Sequence, residues 1–136
     1  MGIAYETAKL SYAEKMKVGC VAVKDDNILA FGYNGTPPGW DNQCEDIIVN
    51  PDGLSELKTK QEVIHAEMNC LMKLSKNNES SADATIFLTH SPCFECSKGI
   101  FLAGIKEVYY SEEYRKTDGI DFLKKCNIKV EKFDSL

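Results

Sequence analysis

The strongest restriction on how this chain can fold is the order in which helical and strand periods alternate along it. Residues 3–13 carry helical spacing, with Ile3, Leu10 and the alanines on one apolar stripe. The run VGCVAV, residues 18–23, is small and β-branched. The polar turn Asp25-Asp26-Asn27 and the run ILAFGYN follow it, so the segment predicts a β-hairpin. Helical spacing returns at Ile64, Met68, Leu71, Met72 and Leu74 and stops in the polar stretch 77–83. After it come strand-like ATIFLT, a buried helical run SPCFECSKGIFLAGI and the strand EVYY. A polar loop near 114–118, a helix near 120–125 and a last strand at 128–130 complete the pattern. An opening hairpin followed by alternating helices and strands predicts a mixed five-stranded sheet with helices on both faces, a three-layer α/β/α sandwich. Between the hairpin and the second helix, residues 35–53 are rich in Gly, Pro, Asn and Asp and predict a long loop, with Trp40 as its packing anchor.

At 136 residues the chain has the size of one domain, expected over 1–136. No apolar run approaches the roughly 20 residues a bilayer requires, so a membrane protein is not expected. The opening MGIAYETAKL has no basic region followed by an apolar one and does not read as a secretory signal. Sixteen Lys plus Arg against twenty-one Asp plus Glu leave a net charge of −5, which argues against a nucleic-acid partner while permitting a small anionic ligand. Without an export signal the six cysteines read as reduced thiols of a cytoplasmic protein, some of them metal ligands. Cys20, Cys70 and Cys126 lie in apolar patterns and are expected in the core, whereas Cys44 falls in the long loop without an assigned role.

Two short segments carry the chemistry: His65-Ala66-Glu67 opening one helix, and Pro92-Cys93-Phe94-Glu95-Cys96 opening another. Cysteines three apart at a helix start can turn both sulfurs to one side of the first turn, as a tetrahedral metal requires. The positive end of the helix dipole lowers the cost of keeping them ionised. With His65 as third ligand, one coordination position stays open, which marks a catalytic zinc rather than a structural one. Two thiolates balance Zn²⁺, whose bound water has its pKa lowered towards about 7. Glu67 is placed to take and return a proton. Closing the site instead would need a fourth ligand, and His90 is the nearby candidate.

H-x-E combined with P-C-x-x-C matches the signature of zinc nucleobase deaminases. More narrowly, KVGCVAVKDDNILAFGYNGTP, VIHAEMNCL, THSPCFECSKGIFLAGIKEVYY and the EEYR segment resemble the deoxycytidylate (dCMP) deaminase family, within the cytidine deaminase superfamily. GYNG-x-P ahead of HAE-x-N separates that resemblance from the nucleoside-specific cytidine deaminases, whose first ligand is typically cysteine. The resemblance implies zinc-dependent hydrolysis of dCMP to dUMP, supplying dUMP for thymidylate synthesis, in homo-oligomers that are commonly hexameric. By the same resemblance His65, Cys93 and Cys96 are the zinc ligands and Glu67 is the proton shuttle. Asn34 holds the deoxyribose hydroxyl, the Ala66 N–H meets the pyrimidine carbonyl and the Ser91 carbonyl receives the exocyclic amine. Tyr114 packs on base and sugar, and Arg115 and Lys15 contact the phosphate. Lys15 stands where family members often carry arginine, so it offers a point charge without a bidentate fork. Some members also take dCTP and dTTP as effectors at a separate site. The alternatives are another deaminase of the superfamily, acting on a tRNA adenosine or a free purine base, and a non-catalytic zinc-stabilised binding module.

Overall fold

A computed structural model describes residues 1–134; Ser135 and Leu136, the last two of the expected 1–136 unit, lie outside the described residues. Strands β1 (Gly19–Lys24) and β2 (Asn27–Tyr33) form the expected hairpin. Asp25 and Asp26 sit at φ 50° and 63°, the left-handed pair that a tight turn demands of short polar residues. β5 (Thr85–His90), β6 (Glu107–Glu112) and β7 (Lys129–Lys132) extend the sheet in the order β2-β1-β5-β6-β7. The β1–β2 and β1–β5 pairs are antiparallel, and β5–β6 and β6–β7 are parallel. The sheet is therefore mixed and five-stranded, as the alternation predicts.

Helix α1 (Gly2–Ala8) covers one face and α2 (Ala66–Leu74), α3 (Phe94–Leu102) and α4 (Asp118–Lys125) cover the other. Alternate residues Cys20, Ala22, Ile86, Leu88, Val108 and Val130 meet Cys70, Leu71, Leu74, Ile100, Ile120 and Leu123 in one buried cluster. The two parallel crossovers put α3 and α4 side by side, where Phe94 and Phe122 meet edge-on at 5.3 Å between ring centroids. Cys20 and Cys70 are buried as expected, and Cys126 is half-buried against the cluster.

Three local expectations are corrected. The first helix ends at Ala8 rather than near residue 13, because the Ser11 hydroxyl donates to Asn34 O at 2.7 Å and accepts from Ala13 N at 3.2 Å. Such side-chain bonds give the backbone an alternative to the helix. Its buried face is Ala4, Thr7 and Ala8, while Ile3 and Leu10 face outwards. Small residues serve there because Gly19 lies so close beneath that a Cβ on it would come 2.0 Å from Ala4 O.

The second correction concerns the expected loop, which holds strand β3 (Glu45–Val49), paired antiparallel with β4 (Ser55–Thr59) in a separate two-stranded sheet. Both strands are largely exposed on both faces, so no apolar alternation marks them. The third is Trp40, which is 59% exposed rather than buried as an anchor of the loop. Among the described residues no helix is long and apolar enough to cross a membrane.

Candidate active site

The C-terminal ends of β5 and β6, the start of β1 and the end of β2 meet the N-termini of α2 and α3 at one end of the sheet's strands. His65 and Cys93 are the N-cap residues of these two helices, with extended ψ of 155° and 168°. Neither is a residue that caps helices well. Cys93 nonetheless fills the role, its Sγ accepting from Cys96 N at 3.4 Å. Two helix N-termini thus converge on the sulfurs, and their positive ends favour thiolate.

His65 Nδ1 lies 3.5 Å from Cys93 Sγ and 3.4 Å from Cys96 Sγ. Tetrahedral bonds of about 2.3 Å to sulfur and about 2.0–2.1 Å to nitrogen would put such a pair about 3.6 Å apart, so the donor set fits zinc. Their ligand atoms lie within 4.8 Å of one another, and among the described residues no fourth His, Cys, Asp or Glu joins them. His90, the candidate fourth ligand, instead pairs its Nδ1 with Thr89 Oγ1 at 3.0 Å.

Charges here are strongly perturbed. A hydrogen bond shared with Cys96 is the largest of several influences that bring the Cys93 thiol down to about 4, with His65 assisting. The same bond, then burial, then Glu67, pushes Cys96 up. Before metal arrives the two sulfurs therefore hold one proton between them. The hydrogen bond to Cys93 raises His65 against the opposing effect of burial. Glu67, only 4% exposed in the first turn of α2, is pushed up to about 7, chiefly by burial. A carboxyl near 7 suits a group that takes and gives a proton at neutral pH.

The pocket above these groups is lined by Lys15, Asn34, Ala66, Glu67, Ser91 and Tyr114, among others, so it gathers nearly every expected substrate contact. Ala66 opens its helix, which leaves its N–H without an intrahelical acceptor and free for a ligand oxygen. Ser91 Oγ accepts from Tyr114 N at 2.7 Å, fixing the loop that carries the tyrosine. Asn34 also braces the wall: its Oδ1 accepts from Val18 N at 2.9 Å and its Nδ2 donates to Met16 O at 2.8 Å. One N–H and one lone pair of that amide remain for a ligand. Arg115 is the exception, exposed beside Tyr114 and outside the lining.

Cys44, Glu45, Thr59 and His90 line the pocket although the sequence pointed to no substrate role for them. Cys44, Glu45 and Thr59 come from the β3–β4 hairpin, whose turn Asn50-Pro51-Asp52-Gly53 was a readable signal. Glu45 ties the hairpin to the opposite wall, accepting from Glu14 N at 3.0 Å and Lys15 N at 3.3 Å. Burial lowers the His90 pKa against the pull of Glu112. Thr89 Oγ1 accepts from Gly19 N at 3.0 Å and also pairs with His90 Nδ1, tying the imidazole to the start of β1.

Residues 1–112 match the family model of the cytidine and deoxycytidylate deaminase zinc-binding region. The chain belongs to that family. Zinc is accordingly the cofactor, with His65, Cys93 and Cys96 positioned as its ligands. The chain is 35% identical over 115 residues to ComE operon protein 2 of Bacillus subtilis (strain 168), covering 85% of itself but only 58% of that protein's length. It is 34% identical over 119 residues to the deoxycytidylate deaminase of Mycobacterium phage D29, which covers 83% of this chain and 91% of the relative. Human deoxycytidylate deaminase is 33% identical over 156 aligned positions, covering all of this chain and 84% of the human one. Among solved structures, the dCMP deaminase of cyanophage S-TIM5 in complex with dCMP and dUMP superposes with a TM-score of 0.87 at 46% identity, covering 97% of this chain and 92% of that one.

Proposed function

We propose that this protein converts dCMP to dUMP by hydrolytic deamination. The observation that carries the reading is Glu67, a buried carboxyl held near 7 at the floor of a pocket whose three metal ligands leave one face open. Its likeness to the dCMP deaminase of S-TIM5, solved with that substrate and product, names the pyrimidine nucleotide.

Zinc, when bound, supplies Lewis acidity and lowers the pKa of water at the open position. The remaining work falls to the chain. Deamination adds water across the C4–N3 bond of the base and then expels ammonia, so two protons must travel. Glu67 takes one from water and gives it to N3, then moves the second to the leaving amine. The Ala66 N–H holds the pyrimidine carbonyl and the Ser91 carbonyl receives the exocyclic amine, which together fix C4 in place. Asn34 meets the sugar hydroxyl with its remaining donor or acceptor, Tyr114 packs on base and sugar, and Lys15 and Arg115 attract the phosphate.

The same reading extends to a cytoplasmic enzyme of one domain, a supplier of dUMP for thymidylate synthesis. It further assigns the protein to a homo-oligomer, a hexamer in the full form of the proposal. Leu102, Phe101, Met72 and Phe94, exposed by 81%, 44%, 49% and 39% on α2 and α3, give that assembly an apolar surface to bury. dCTP and dTTP are the effectors to add to any assay of that assembly.

The test is metal content of the purified protein together with ammonia release from dCMP, dCTP, CMP, deoxycytidine and adenosine-containing RNA. Zinc at one per chain and ammonia from dCMP are expected. Glu67→Ala should keep the metal and lose about 10²–10⁴-fold in turnover. Ammonia from RNA and none from dCMP would overturn the substrate, and no ammonia from any of them would overturn catalysis.

A further inference from the structure

Glycine is a poor residue inside a regular element: it forms helix less readily than alanine and leaves a strand with no side chain to pack. Gly32 in β2 and Gly119 in α4 both occupy such positions, and neither has the positive φ that would explain it. What they share is their neighbour. A Cβ on Gly32 would lie 2.5 Å from Cys70 N and 2.6 Å from Ala66 O, within the turns of α2 that follow His65. A Cβ on Gly119 would lie 2.2 Å from Pro92 O, 2.7 Å from Ser97 Oγ and 2.9 Å from Cys93 C, against the peptide that carries Cys93. Each glycine therefore sits directly beneath one of the two helix starts that hold the metal ligands.

We infer that Gly32 and Gly119 are positioning residues of the zinc centre, setting the separation of His65 from the cysteine pair by letting two helix starts approach neighbouring backbone closely. The inference rests on His65, Cys93 and Cys96 being the metal ligands. Its scale follows from the contacts. Real Cβ atoms essentially never come within 3.0 Å of such neighbours, so an alanine at 119 must move the Pro92–Cys93 peptide or α4 by about 0.8 Å, the gap from 2.2 to 3.0 Å. The obstructing atoms are mostly backbone, so no flexible side chain can yield instead. Metal–ligand bonds tolerate about ±0.2 Å, a fraction of that displacement. Ser97 strengthens the clasp at Gly119: it is fully buried and donates from Oγ to Cys93 O at 2.8 Å. α4 also follows the loop of Tyr114, so one contact links the metal centre to the substrate-facing loop.

The experiment measures zinc affinity by competition with a chelating dye, and the visible spectrum of the cobalt(II)-loaded protein, for Gly32→Ala, Gly119→Ala and two controls. Gly99→Ala places the same methyl in α3 where it meets only Met68 Cε at 3.6 Å, an ordinary contact. Gly19→Ala strikes Ala4 O of α1, away from the ligands, and reports general packing damage. Gly32→Ala and Gly119→Ala should lose about 10–100-fold in zinc affinity, the range typical of groups that orient ligands. Their cobalt bands should shift or weaken, while Gly99→Ala and folded Gly19→Ala stay within twofold of the parent with its spectrum. Ser97→Ala, which creates no clash, decides the matter should the glycine variants not fold; a severalfold loss is expected. Parent-like affinity and spectrum in the folded glycine variants, or in Ser97→Ala where those fail to fold, would overturn the inference alone. A parent protein that binds neither zinc nor cobalt would overturn the ligand assignment and this inference together.

Discussion

Replacing Glu67 with glutamine separates the energetic cost of that carboxyl from its chemical use. In the unfolded chain the group ionises near the ordinary glutamate value of 4.5, whereas burial holds it near 7 in the fold. Between those two values the unfolded state has released a proton that the folded state still binds. Stability must therefore fall as pH rises through this window, by about 1.36 kcal/mol for each unit. Over the interval from 4.5 to about 7 the loss sums to about 3 kcal/mol, and above about pH 7 it stays constant. Glutamine has nothing to ionise, so the metal-free Glu67→Gln protein should lack this slope. The assay compares urea or thermal unfolding of both chelated proteins at pH 5 and pH 8. Any fixed cost of burying the amide cancels in the difference between the two pH values. Relative to the parent, the variant should gain about 2–3 kcal/mol from pH 5 to pH 8, roughly 10 °C in Tm for a domain of this size. Parallel stability curves would show that Glu67 is ionised or solvated in the fold, and would remove the reason for regarding it as a neutral-pH proton carrier.

Asn34→Ala deletes both amide bonds that brace residues 16–18, so a stability loss of about 2 kcal/mol is expected in urea unfolding, with KM raised for dCMP and deoxycytidine alike. Ser91→Ala frees Tyr114 N while leaving the Ser91 carbonyl in place; KM for dCMP should rise about fivefold to tenfold with kcat within about twofold, and an unchanged KM would show that the loop is held by other contacts. Arg115→Ala should raise KM for dCMP and leave deoxycytidine untouched, whereas equal effects on both in steady-state kinetics would remove Arg115 from the phosphate.

Wherever chemistry is local in the chain, the sequence made it legible. The helix starts at His65 and Cys93, the tight turn at Asp25-Asp26 and the five strands of the main sheet each follow from a period or a motif within about a dozen residues. The ligand set was legible from H-x-E and P-C-x-x-C, each placed at a helix start. The length of α1 was not legible, because its end is set by a Ser11 bond to a carbonyl 23 positions away. Nor were the strands β3 and β4, whose turn alone left a signal, since strands exposed on both faces carry no apolar alternation.

The contacts that brace the pocket walls share a physical origin, and it bears on how the pocket works. Glu45 holds one wall through the backbone of Glu14 and Lys15, Asn34 holds another through Met16 and Val18, and Ser91 holds the Tyr114 loop. In each case a side chain grips the backbone of a distant segment, so the identity of its partner residue leaves no imprint in the sequence. The two glycines under the metal-bearing helices are the limiting case, where the informative feature is the absence of a side chain. Reactive groups announce themselves by type and spacing, because chemistry demands particular atoms. The groups that hold them in register do not, because a carbonyl or an amide of any residue serves equally well. A pocket assembled in this way can change its substrate-facing walls with few changes to its metal centre. Substitutions at Glu45 or Ser91 should therefore shift KM far more than they shift zinc affinity, and the reverse should hold for Gly32 and Gly119.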